Sequence, residues 1–181
     1  MNQLRNIVTG MAVAVLLVSS AAAGPKHHKQ SASRTAVDSE FATKAAQTNL
    51  SEIRLADLAM TKTSNQSVKN LAQSVESGHA KANNELKDIA AKQNLTLPKT
   101  VDPKEQAEYD RLSKMSGAEF DRAYTRKQVE AHKDVIAEYR RESSHGTDPE
   151  LKKYATDTLP TLEHHLQLAE TAHASASKES H

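Results

Sequence analysis

Four long stretches of this chain repeat apolar side chains at every third or fourth position, and the gaps between them run short, long, short. At 100° per residue that spacing gathers the apolar residues onto one stripe of a helix. Ala, Leu, Lys, Glu and Gln dominate the stretches; the aromatic residues are two Phe and four Tyr, and no alternating strand pattern occurs. Such a composition favours helix throughout and leaves one fold class, all-α.

The first helix is expected over 39–61, with Asp38 or Ser39 as its N-cap. The second runs over 67–92, behind a break at Ser64-Asn65. The third starts at Ser116-Gly117-Ala118-Glu119, read as a capping box, and stops before Gly146. Asp148 caps the fourth, with Pro149 in its first turn, and this helix ends near Ala174. Residues 93–115 connect the second to the third and hold a short helix over Pro103–Lys114. Short connections force antiparallel partners, whereas 93–115 is long enough to span a ~40 Å bundle at ~3.3 Å per residue. The expected architecture is a four-helix bundle with one long crossover between helices two and three, the ferritin-like pattern. The bundle domain covers 38–174, between a disordered lead-in at 24–37 and a flexible tail at 175–181.

Each stripe contains a residue that an apolar core would exclude. Helix one aligns Phe41, Ala45, Thr48, Leu55, Ala56 and Ala59 around Glu52, and helix two aligns Val68, Leu71, Val75, Ala82, Leu86 and Ile89 around His79. Helix four places His165 among Leu151, Tyr154, Leu162, Leu166 and Ala169. On helix three, Phe120, Tyr124, Val135 and Tyr139 define a face with His132 towards one edge and Asp121 between two of the tyrosines. A buried carboxylate or imidazole without a partner costs at least a few kcal/mol, so these residues are informative if they meet. At ~1.5 Å rise per residue, and with the long crossover, Glu52, His79, His132 and His165 lie ~14, ~18, ~23 and ~14 Å from one end of the bundle. All four fall within about two turns. Gly78, beside His79, costs ~1 kcal/mol in a helix interior and signals close packing. Pro160 removes a helical hydrogen bond about one turn before His165.

Several stretches carry a resemblance: Asn49-Leu50-Ser51-Glu52, His79, Leu97-Pro98, Gly117-Ala118-Glu119-Phe120-Asp121-Arg122-Ala123-Tyr124, His132, and Leu159-Pro160 with His164-His165. Over residues 38–173 the chain resembles a bacterial exported family called domain of unknown function 4142. The resemblance implies a ferritin-like helical bundle and supplies no activity. A ferritin-like di-iron centre takes a Glu from each of two helices and a Glu-x-x-His from each of the other two. Glu52 and Glu76-Ser77-Gly78-His79 meet part of that pattern; Gln128 precedes His132 and Leu162 precedes His165, so the second Glu-x-x-His is missing. What remains is Glu52, His79, His132 and His165, with Glu76 and Asp121 as secondary candidates, a donor set that suits Zn, Cu, Ni or a single Fe.

The chain opens with one positive charge, Arg5, an apolar run over 7–18 and the small residues Ala21-Ala22-Ala23. That run is shorter than the ~20 residues a spanning helix needs, and the pattern is that of a secretory signal peptide over 1–23. The expected location is periplasmic or secreted, with no integral membrane segment after cleavage. Without the signal, basic and acidic residues number 23 each, and no basic stripe marks a nucleic-acid binder. Cys is absent, so disulfides contribute nothing to stability. An enzyme finds little support: there is no Cys nucleophile, no Gly-rich phosphate loop, no G-x-S-x-G and no H-E-x-x-H. Two readings stay open, an exported metal-binding bundle and a structural or stress-protective interaction protein whose core Glu/His cluster holds no metal.

Overall fold

The computed structural model describes residues 26–178 and contains among them five helices and no strand: α1 Lys26–Lys62, α2 Gln66–Gln93, α3 Pro103–Ser113, α4 Gly117–His145 and α5 Pro149–Lys178. The expected signal peptide lies outside the described residues. No described helix is long and apolar enough to cross a membrane.

Caps account for most of the boundaries. Asn65 accepts from the amides of Ser67 and Val68 and so starts α2, while Asn94, at φ 55°, closes it in the left-handed conformation. Asp102 caps α3 ahead of Pro103, and Asp148 accepts from the amides of Glu150 and Leu151 to start α5. Three expectations need correction. The capping box at α4 does not form: Ser116 makes no side-chain cap bond, and Gly117 at φ 55° starts the helix through a turn that glycine adopts without strain. Helix α1 starts at Lys26, inside the segment expected to be a disordered lead-in, and Asp38 is not its N-cap. No Gly or Pro interrupts Lys26–Lys62, so nothing local stops the helix from extending; Asp38 instead accepts from the amide of Thr147. At the other end α5 runs to Lys178, past the expected Ala174, with Ala176 buried rather than in a free tail.

Helices α1, α2, α4 and α5 form the bundle. Lys62, at the end of α1, donates to the carbonyls of Ser113 and Met115 just before α4. Gln93, at the end of α2, donates to Asp148 just before α5. Helices α2 and α4 therefore run parallel, α1 and α5 run against them, and the connection carrying α3 travels the length of the bundle, as its length required.

The core is interrupted. One apolar cluster centres on Phe41, Leu86, Ile136, Tyr139, Tyr154 and Leu162, the other on Leu55, Leu71, Val75, Leu112, Phe120 and Tyr124. Between them every bundle helix contributes buried polar residues: Asn49 and Glu52, His79, Gln128 and His132, and His165. Burying an apolar side chain in place of each would contribute about 1.5–3 kcal/mol. A whole belt forgoes that contribution.

Candidate metal centre

His79, His132 and His165 are 2%, 0% and 1% exposed. Their ring centroids are 5.3–5.6 Å apart, and one ring nitrogen from each lies within 4.8 Å of the other two. His132 Nε2 and His165 Nδ1 are hydrogen-bonded at 3.3 Å.

Hydrogen bonds on the far sides of the rings fix which nitrogens carry hydrogen. His132 Nδ1 is 2.9 Å from the Gln128 carbonyl, which can only accept, so Nδ1 donates and Nε2 presents a lone pair. Asn49 donates through Nδ2 to the Tyr154 hydroxyl, leaving its Oδ1 to accept from His79 Nδ1 at 2.9 Å. His79 Nε2 is then a bare nitrogen, buried and without a hydrogen-bond partner. Because His132 Nδ1 already carries the proton given to Gln128, the bond between His165 Nδ1 and His132 Nε2 runs from His165 Nδ1–H to His132 Nε2, and the Cε1–Nε2 edge of His165 lies against Gly78. Three ring nitrogens converge, His79 Nε2 bare and the other two sharing one proton, which would have to move to His165 Nε2 for an ion to take its place. His79 and His132 are each oriented by an acceptor behind the ring. Metal-binding imidazoles are held in this way.

Protons compete poorly for these nitrogens. Burial pushes His79 well below the ordinary histidine range, and the neighbouring His132 and His165 push it further. Burial and His132 lower His165 to about 3, against the opposing Ser74 bond. Both rings are neutral at physiological pH, the form that ligates metal.

The structure brings together three of the four principal candidates. Glu52 is buried in the same belt, but its carboxylate accepts from Gln128 Nε2 at 2.6 Å and it does not join the three imidazoles; Asn49, one turn earlier on α1, occupies the place beside His79. Glu76 is half-buried at the edge of the α2 stripe and contributes no ligand atom to the group. Asp121 is buried three turns before His132, ~16 Å along α4, too far to join. The sequence reading missed Asn49 and Gln128 as the groups that orient the rings. Each is a polar residue one helical turn from a stripe residue already singled out, which is the signal that could have found them.

Gly78 has a specific reason to lack a side chain. A Cβ there would lie 2.5 Å from His165 Cε1, 2.7 Å from Nε2 and 3.0 Å from Thr161 Cγ2. Replacing glycine by alanine inside a helix normally stabilises by ~1 kcal/mol. Here the His165 ring would have to shift, and overpacking of this kind costs about 1–3 kcal/mol. Gly78→Ala is thus expected to lower the melting temperature; a thermal melt showing a rise would mean that His165 is not packed against α2.

The fold has counterparts among solved structures. A DUF305 fragment from Deinococcus radiodurans is 14% identical with a TM-score of 0.68, over 76% of this chain and 95% of that one. A DUF305 protein from Streptomyces coelicolor, described as secreted, is 17% identical with a TM-score of 0.66, over 78% and 92%. A third structure, described as CopM in the Cu(I)-bound form, is 16% identical with a TM-score of 0.62, over 74% and 93%. At these identities the likeness concerns the fold alone. None of the curated proteins matches the chain. The model of a domain of unknown function, DUF4142, matches residues 23–172, and the protein belongs to that family.

Proposed function

We propose that this protein is an exported metal-binding bundle that holds one transition-metal ion, copper(I) before others, on His79 Nε2, His132 Nε2 and His165 Nδ1. The observation that carries the reading is the convergence of three buried imidazole nitrogens, one of them without a partner, in a belt between two apolar clusters. Imidazole donors suit copper, zinc, nickel and iron. Charge selects among them: the site offers no anionic ligand, and the Born cost of burying an ion scales with the square of its charge, so a +1 ion costs about a quarter of a +2 ion of equal size. The similarity in fold to CopM, described in the Cu(I)-bound form, is in keeping with that choice. Full burial supports holding or buffering the ion rather than turnover, since no ligand position faces solvent. An exported location is supported by the N-terminal pattern and by the secreted relative in fold.

The experiment is metal analysis of protein made without an affinity tag, with anaerobic Cu(I) competition against bicinchoninate and parallel titrations with Zn²⁺, Ni²⁺ and Fe²⁺. One copper per chain is expected. Protein that takes up none of the four ions leaves the belt as a polar network that sets helix register, and the reading fails.

A further inference from the structure

The three imidazoles are sealed from solvent, so an ion needs a path to them. A groove of about 1160 Å³ opens between α1, α3 and α4. Its lining is acidic on balance and includes Glu105, Glu130, Asp134 and Glu138. Glu52 is the buried carboxylate that reaches it: the residue is 3% exposed, lines the groove, and turns its other side to Gln128 Nε2. Gln128 in turn offers its backbone carbonyl to His132 Nδ1. Two fully buried oxygens near Glu52, Gln128 Oε1 and Tyr124 Oη, have no hydrogen-bond partner. The Glu52 carboxylate and the Gln128 amide thus link the groove to the His132 ring. Oxygen donors hold a soft ion more weakly than imidazole does. They can accept an ion as it loses water without competing with the resting site.

We infer that Glu52, backed by Gln128 Oε1, is a loading ligand: a cation enters by the groove between α1, α3 and α4, sheds water against Glu52, and passes to His132 and its two neighbours. The inference rests on the metal-binding reading of the three histidines and concerns the rate at which they fill. A carboxylate at the floor of a groove concentrates cations and lowers the barrier in both directions. Its removal therefore slows loading and unloading alike and leaves the equilibrium nearly untouched.

The test follows transfer of Cu(I) from its bicinchoninate complex to the full chain by anaerobic stopped flow, beside equilibrium competition on the same samples. Glu52→Gln keeps the shape and a hydrogen-bond partner for Gln128, and should load at least about tenfold more slowly, within the range that charge focusing gives association rates. Its equilibrium affinity should stay within about threefold of wild type, as for a change that stabilises neither bound nor free state. Ala131→Phe narrows the groove without touching a polar partner and should slow loading in the same direction, which keeps the inference testable if Glu52→Gln folds poorly. If both variants load at the wild-type rate, the ion enters elsewhere. If Glu52→Gln loses affinity as much as rate, Glu52 is a ligand of the resting site and the loading role is overturned. Wild-type protein that binds no copper at all refutes the metal-binding reading itself, a result distinct from either.

Discussion

Protein carrying His79→Ala should take up no stoichiometric metal, and added Cu(I) should raise the melting temperature of the wild type alone. The substitution removes one of three nitrogens and leaves two, His132 Nε2 and His165 Nδ1, which lie 3.3 Å apart and do not enclose an ion by themselves. A ligand that binds only the folded state adds ~2.7 kcal/mol at a hundred times its dissociation constant. For a chain of this size each kcal/mol moves the melting temperature by about 2–4 °C, so wild type should gain roughly 5–10 °C and the variant nothing. Without metal the variant should still be less stable by about 1–3 kcal/mol, because Asn49 Oδ1 loses its donor in a buried belt and a cavity opens beside it. Melts of both proteins with chelator and with Cu(I) separate the two contributions. A variant that binds copper one to one, or that melts like wild type under every condition, would exclude His79 from the site.

Most of the bundle was legible because its constraints are local or nearly so. Helix stripes, the Ser64-Asn65 break, the Asp148 cap and the lengths of the connections fix four helices and their directions, and the Lys62 and Gln93 contacts bear out the crossover that the 93–115 connection required. The height argument followed from direction alone, and it placed His79, His132 and His165 in one layer. It could not say which residue of a layer points at which. Asn49 and Glu52 are one turn apart on the same face of α1, and rise per residue does not distinguish the one that meets His79 from the one that meets Gln128. Side-chain reach decided that, and reach depends on the positions of neighbouring helices to within an ångström. The extra turns of α1 before Ser39 were hidden for another reason: polar sequence that reads as disorder is also good helix-forming sequence when no glycine or proline interrupts it.

Acid should destabilise the metal-free protein, and the buried histidines should account for most of the loss. His165 has its folded-state value lowered to about 3 from an ordinary 6.5, and His79 is shifted in the same direction by the same burial. A lowered histidine stays neutral in the fold while the unfolded chain takes up a proton, so stability is present above 6.5 and drains away as pH falls towards the folded value. By pH 5 the unfolded state gains ~2 kcal/mol from protonating the His165 side chain alone, and His79 adds to it. One carboxyl works against them. Glu142 is raised to about 7 by burial and by the neighbouring Asp38 carboxylate, with Asp148 adding to the effect. Its contribution is full below its ordinary 4.5 and is lost as pH rises through 7, so acidification towards pH 5 restores stability from this group. Glu142 is 3% exposed beside a cleft lined by Phe41, His145 and Gly146, so its share is of the same order as that of one histidine and of opposite sign. Two buried imidazoles outweigh one buried carboxyl, so stability should fall from pH 7 to pH 5. Urea titrations across that range test the balance: His165→Gln should flatten the slope by about 2 kcal/mol, and Glu142→Gln should steepen it by a similar amount. Saturating Cu(I) should suppress the loss in wild type, because an ion on the three nitrogens stabilises the same neutral imidazoles that acid works against. A wild-type protein as stable at pH 5 as at pH 7, with His165→Gln indistinguishable from it, would mean that the imidazoles reach water, and the sealed metal centre would not survive that result.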